Sequence, residues 1–200
     1  TNAELAKAKA DYYGIEKCYS SVEDLLADPE IDAVSICTSN ATHAEIAIAA
    51  LNAKKHVLCE KPMAITLEEC EAMVKAANEN GKYLMIGQNQ RLAKAHEVAK
   101  DIIATGKLGK VLTFRTTFGH GGPETWSVDP GKNTLFFDKK KAAMGAMADL
   151  GIHKTDLIQY LLGAKVVSTS AVLTTLDKRD ANDNLIGVDD NAICVYTMNN

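Results

Sequence analysis

The chain has 200 residues, 46% of them hydrophobic and 24% charged, with a formal net charge of −4. This is an ordinary soluble globular composition, long enough for one large domain or two modest ones. The acidic balance argues against a general nucleic-acid binder, and no apolar stretch approaches the roughly 20 residues of a membrane span.

In chain order, the opening TNAELAKAKA is a polar, helix-like run rather than a secretion signal, and the helix is expected to stop at Gly14. A short helix follows through Leu25 and Leu26, then a strand over 32–38. A helix rich in Ala, Ile and Leu opens at Thr42, a strand covers 56–60, a helix runs from Thr66 to Asn80-Gly81, and a third strand covers 83–87. Ser20/Glu23, Thr42/Glu45 and Thr66/Glu69 each fit the capping box, in which hydroxyl and carboxylate satisfy backbone N–H groups left over at a helix start. Strands apolar throughout and separated by helices imply parallel pairing with both faces covered.

From about Leu92 the pattern changes. Residues 93–104 read as a helix, 111–118 as an alternating strand, 119–142 as a loop, 145–162 as a helix, and 165–176 and 190–198 as two strands around a polar turn. The fold class expected is α/β: a partial Rossmann-type parallel sheet over 1–91, then an α+β domain over 92–200 with a mostly antiparallel open sheet.

Cys18, Cys37, Cys59, Cys70 and Cys194 are odd in number and include no C-x-x-C, so we expect a reducing, cytoplasmic setting with neither a disulfide framework nor a zinc site.

Ligands of open parallel α/β sheets bind beyond the carboxyl ends of the strands. The first strand ends in Thr38-Ser39-Asn40, with His43 at the next helix start. The second ends in Glu60-Lys61-Pro62 and the third in Gly87-Gln88-Asn89-Gln90-Arg91. Pro62 disfavours helical backbone at Lys61 and stiffens the turn, so the amine is either held in a crevice or is a solvated loop charge.

Later, GAMADLGIHKTDLIQYLLG puts Asp149 and His153 at i and i+4, with Asp156 on the same helix face. The carboxylate either orients the imidazole for proton transfer or forms a surface ion pair with a structural histidine. Gly145 and Gly151, costly inside a helix, suggest a close neighbour. Without H-E-x-x-H or a third ligand, no metal is expected.

Together, AVSICTSNATHAEIAIAALNAKKHVLCEKPMAIT, GQNQRLAKAHEVAKDIIATGKLGKV and GAMADLGIHKTDLIQYLLG resemble the Gfo/Idh/MocA family of NAD(P)-dependent oxidoreductases. The resemblance covers essentially the whole chain. It implies an oxidoreductase moving a hydride between NAD or NADP and a secondary hydroxyl of a sugar, polyol or related cyclic alcohol. It makes Lys61, Asp149 and His153 catalytic. It places Thr38, Asn40, His43, Glu60, Lys61 and Gln88 along the cofactor groove. It places Arg91, Trp126, Asp149 and His153 toward substrate, Trp126 being either a cover over the site or a partly buried anchor. A homo-oligomer is implied through the second sheet, with Val111, Thr113, Arg115 and Thr117 on its outer face. NAD-dependent glycoside hydrolases of the same fold and non-catalytic ligand-binding regulators are the alternatives.

One departure stands out: no G-x-G-x-x-G occurs, and Gly119-His-Gly121-Gly122 follows the wrong kind of strand. The chain is therefore expected to be a piece of a longer one lacking its amino-terminal βαβ, and by itself to bind dinucleotide poorly.

Overall fold

The computed structural model describes residues 2–127 and 130–200, so part of the expected 119–142 loop lies outside the described residues. The chain divides into two compact units, one of Thr1–Thr38 and Thr42–Ile86, the other of Ser39–Ala41 and Gly87–Asn200.

The first unit holds a parallel sheet in the order β1 (Ala33–Ile36), β2 (His56–Cys59), β3 (Leu84–Ile86), with α1 (Ala3–Tyr13), α2 (Val22–Ala27), α3 (His43–Asn52) and α4 (Leu67–Asn80) around it. Its core forms where Ala44, Ala47, Ala50 and Leu51 of α3 and Met73, Ala76 and Ala77 of α4 meet Ile36, Val57 and Cys59 of the sheet. Alanines let both helices approach closely, and full burial of Leu51 or Met73 contributes about 1.5–3 kcal/mol each. The opposite face of the sheet presents Ser35, Leu58 and Met85, which are in register and exposed.

Of the three expected capping boxes, Thr66/Glu69 forms in full: Thr66 Oγ1 accepts from Glu69 N–H at 3.2 Å and Glu69 Oε2 accepts from Thr66 N–H at 3.2 Å. The other two are corrected. The cap of α2 is Ser21, which accepts from Asp24 N–H at 3.0 Å, one residue later than expected from Ser20. Thr42 has αR backbone at φ −108° and makes no side-chain cap, because a 3₁₀ turn over Asn40–Thr42 already leads into α3. No helix among the described residues is long and apolar enough to cross a membrane.

The second unit contains α5 (Lys94–Ala104), a short α6 (Lys139–Ala142), α7 (Ile152–Leu162) and an antiparallel pair, β4 (Val166–Thr174) and β5 (Asn191–Met198). Along β5, Cys194 and Tyr196 turn toward α7 and the segment before it: the thiol lies 3.7 Å from Met147 Sδ, and the phenol 2.8 Å from Thr155 Oγ1. Ile193 and Val195 are on the outward face with Val172 and are exposed. The polar turn after β4 is closed by Asp190, whose carboxylate accepts from the N–H groups of Leu176, Asp177 and Lys178. Desolvation pushes the Asp190 carboxyl up, but these bonds outweigh it and hold it below its ordinary range.

Two expectations for this unit are corrected. Residues 111–118 form no ladder among the described residues, and Leu112 is 84% exposed. Alternation marks two faces of an extended run but does not supply a partner strand. The helix expected over 145–162 begins instead with a π-helical turn, Met147–Gly151, and becomes α-helical at Ile152. Asp149 and His153 are therefore not at plain α-helical spacing, and Asp156 is held by Arg91.

Candidate active site

In the first unit, Ile36, Cys59 and Ile86 are at one level of the sheet, so the chain leaves β1, β2 and β3 along a single edge. Thr38 and Glu60 are exposed there and Lys61 is half-buried, preceding a buried Pro62 across a cis peptide bond. Glu60 N–H donates to Ile36 O at 2.9 Å and Glu60 Oε2 accepts from Lys61 N–H at 3.3 Å, which fixes the start of this loop.

His43 ties the loops after β1 and β2 together. It is 1% exposed, with Nδ1 2.8 Å from Pro62 O and Nε2 3.2 Å from Thr38 O. A neutral ring donates to one of these carbonyls, and an imidazolium to both. Both ring nitrogens therefore meet main-chain oxygens of the loops that His43 joins. Thr42 Oγ1 donates to Thr38 Oγ1 at 2.7 Å and reinforces the same corner.

In the second unit, the amino end of the π-helical turn is held from several directions. Asn40 Nδ2 donates to Ala142 O at 2.9 Å. The same carbonyl accepts from Met144 N–H at 2.8 Å across Ala143, at φ 66° and ψ −51°. This is a γ-turn of the rare, strained hand. Next, Asp189 accepts from Gly145 N–H at 2.8 Å and Met147 N–H at 2.7 Å, and its main-chain oxygen accepts from Ala146 N–H at 2.8 Å. A Cβ on Gly145 would collide with the Asp189 carbonyl, and one on Gly151 with the thioether of Met147. Both glycines thus have the close neighbours the sequence suggested.

Asp149 lies at the centre of this segment, with Oδ2 3.5 Å from His120 Nε2. His153 is 8% exposed, with the Phe118 ring edge-on at 6.0 Å between centroids. Trp126 is half-exposed between His120 at 5.4 Å and Phe136 at 5.2 Å. Arg91 places its guanidinium on Asp156 through two nitrogens, Nε at 2.7 Å, and over the Tyr160 ring at 5.3 Å. That carboxylate pushes the Arg91 guanidinium above its ordinary range. Gln88 Oε1 is buried without a hydrogen-bond partner among the described residues, which a polar ligand group would satisfy.

The second unit therefore brings Asp149, Trp126 and, through His120, a connecting imidazole together; Arg91 is committed to α7. His120, Asp189 and Phe136 went unnoticed in the sequence. A histidine flanked by glycines just before an aromatic loop was the available signal for His120.

A parallel sheet with polar loops along one edge, and a second unit whose helical segment sets Asp149 beside the loop imidazole of His120, give an α/β architecture with a candidate site. Residues 1–88 match the oxidoreductase family with an NAD-binding Rossmann fold, and residues 96–200 match the GFO/IDH/MocA C-terminal domain. The chain belongs to the GFO/IDH/MocA family. It is 39% identical over 175 residues to levoglucosan dehydrogenase of Pseudarthrobacter phenanthrenivorans, covering 87% of this chain and 44% of that protein. It is 34% identical to 1,5-anhydro-D-fructose reductase of Ensifer adhaerens, covering 94% of this chain and 55% of the relative. A solved structure of levoglucosan dehydrogenase in complex with NADH and levoglucosan superposes with a TM-score of 0.87 at 35% identity, over 98% of this chain and 52% of the other. The chain thus spans about half the length of the relatives it matches.

Proposed function

We propose that the chain is part of an NAD(P)-dependent dehydrogenase that transfers a hydride between NAD or NADP and a secondary hydroxyl of a sugar, polyol or related cyclic alcohol. The observation that carries this reading is the Asp149–His153 segment, capped by Asp189 and flanked by His120, in a family whose relatives named above act on cyclic sugars. The polar strand-end loops of the first unit suit a dinucleotide, and in the second unit Gln88 offers an unsatisfied acceptor to a polar ligand group.

Nicotinamide, when bound, supplies the hydride acceptor. The chain's own residues handle the hydroxyl. Lys61 holds the oxygen and stabilises developing alkoxide charge. His153 takes the hydroxyl proton and Asp149 orients the reacting groups. Trp126 offers an aromatic face to the sugar ring. Thr38, Glu60, Lys61 and Gln88 border the cofactor, whereas His43 and Asn40 shape the loops that do so. Arg91 contributes to substrate binding indirectly, through α7.

On this reading residues 1–91 serve the dinucleotide and 92–200 the substrate and assembly. The protein is cytoplasmic and forms a homo-oligomer through the outward face of β4 and β5. The test is a panel of cyclic sugars and polyols offered to the complete protein with NAD and with NADP, followed by NAD(P)H absorbance. Turnover of at least one cyclic alcohol, lost in Lys61→Met, is expected. No turnover with any of them, or unchanged turnover in Lys61→Met, overturns the reading.

A further inference from the structure

We infer that His120 is a positioning residue for Asp149, locked in a single tautomer by its own loop. The inference rests on Asp149 belonging to the site proposed above. His120 Nδ1 accepts from Gly122 N–H at 3.0 Å. That nitrogen therefore carries a lone pair, and the proton of the neutral ring is on Nε2. Nε2 is the atom facing Asp149 Oδ2 at 3.5 Å. That edge of the ring faces the carboxylate across 3.5 Å, a contact longer than a formed hydrogen bond and of the kind that tightens when substrate arrives.

The loop is built to hold this arrangement. Gly122 has φ 121°, a region an L side chain rarely adopts, and a Cβ there would collide with the Glu124 carboxylate. Glu124 is in turn paired with Lys178, whose ammonium also donates to Gly121 O. The short Gly-His-Gly-Gly run is thus pinned at Gly121 and Gly122, just after the imidazole. Trp126 packs edge-on against the ring. About 30% of the His120 side chain stays exposed, so the imidazole borders open space beside Asp149 and is not sealed in the core. An N–H fixed toward one carboxylate oxygen sets the direction in which the other meets a ligand hydroxyl. In this role His120 governs how well Asp149 is aimed, without itself exchanging a proton.

Two measurements test this on the complete protein. First, ¹⁵N-histidine spectra, with the His120 signal assigned by its loss in His120→Gln, should show Nε2 protonated and Nδ1 unprotonated at neutral pH, with the Nε2 signal moving in Asp149→Asn. An Nδ1–H tautomer, or a signal indifferent to Asp149→Asn, overturns the inference. This readout needs no substrate, so it stands even if the dehydrogenase reading fails. Second, His120→Phe keeps the ring against Trp126 but deletes the donor, whereas His120→Gln restores an N–H near the Nε2 position. With a cyclic alcohol that the panel identifies, kcat should fall about tenfold in His120→Phe, with a smaller change in KM, and should recover largely in His120→Gln. Equal activity in His120→Phe and the parent overturns the inference.

Discussion

Asp189 closes the amino end of the helical segment that carries Asp149: its carboxylate accepts from Gly145 N–H and Met147 N–H, 44 and 42 residues earlier in the chain. The pairing supplies a cap that the segment's own sequence lacks, and a negative charge where the helix dipole favours one. Asp189→Ala should lower stability by about 1–2 kcal/mol, read as a lower urea midpoint. Gly145→Ala should lower it by about 1–3 kcal/mol, because the new methyl meets Asp189 main chain that cannot swing away. A Gly145→Ala protein as stable as the parent would show that this close approach is absent in solution.

His43 is buried between two main-chain carbonyls, so its removal should act on stability first. His43→Phe keeps bulk but withdraws the donor, at a cost of about 1–3 kcal/mol. Thermal unfolding checks this, and the KM for NAD or NADP should rise as the Thr38 and Pro62 loops loosen.

Arg91 and Asp156 form a two-pronged pair with the arginine partly exposed. A double-mutant cycle over Arg91→Ala and Asp156→Ala should give a coupling of about 1 kcal/mol or less. A much larger substrate KM in Arg91→Ala with no coupling to Asp156 would restore a direct role in substrate binding.

Cys59 is buried in β2, and burial pushes its thiol up to about 12 from an ordinary 9.0. The folded state therefore keeps a proton that the unfolded chain gives up. The resulting stabilisation is complete below about 9 and is lost as pH rises through about 12, so stability should decline from about pH 9 upward. Cys59→Ala should flatten that part of the curve. At pH 8 the native protein should react with a thiol reagent at exposed Cys18 and Cys37, and at Cys59 only after unfolding.

The parallel sheet was legible because each strand is a short apolar run between helices with clear stops, and the Thr66 box held because Thr66 has the extended backbone a cap needs, which Thr42 lacks. The features missed are those settled by backbone geometry or by distant chain. Ser21 rather than Ser20 caps α2, a choice between adjacent hydroxyls that only backbone geometry makes. The π-helical turn at Met147 reflects Asp189 and Gly145 drawn together across the β4–β5 turn, which no local periodicity encodes. The 111–118 alternation did not become a strand, although Phe118 meets His153, because pairing depends on a neighbour strand and not on the run itself. Lys61, Asp149 and His153 were singled out as candidates by motif, whereas His120 was hidden inside a glycine cluster judged only as a failed phosphate loop.

The three residues Ser39–Ala41 belong to the second compact unit although first-unit chain flanks them, and Asn40 there anchors the strained turn at Ala143. An excision or chimera made by cutting near Gly87 would leave that anchor behind. The transplanted carboxy-terminal half would then start its site helix from an unsupported bend. Grafts between relatives should carry the 39–41 loop and the 87–200 portion from the same parent, and a lesion at Asn40 should be read as damage to that bend before it is read as lost contact with a nucleotide.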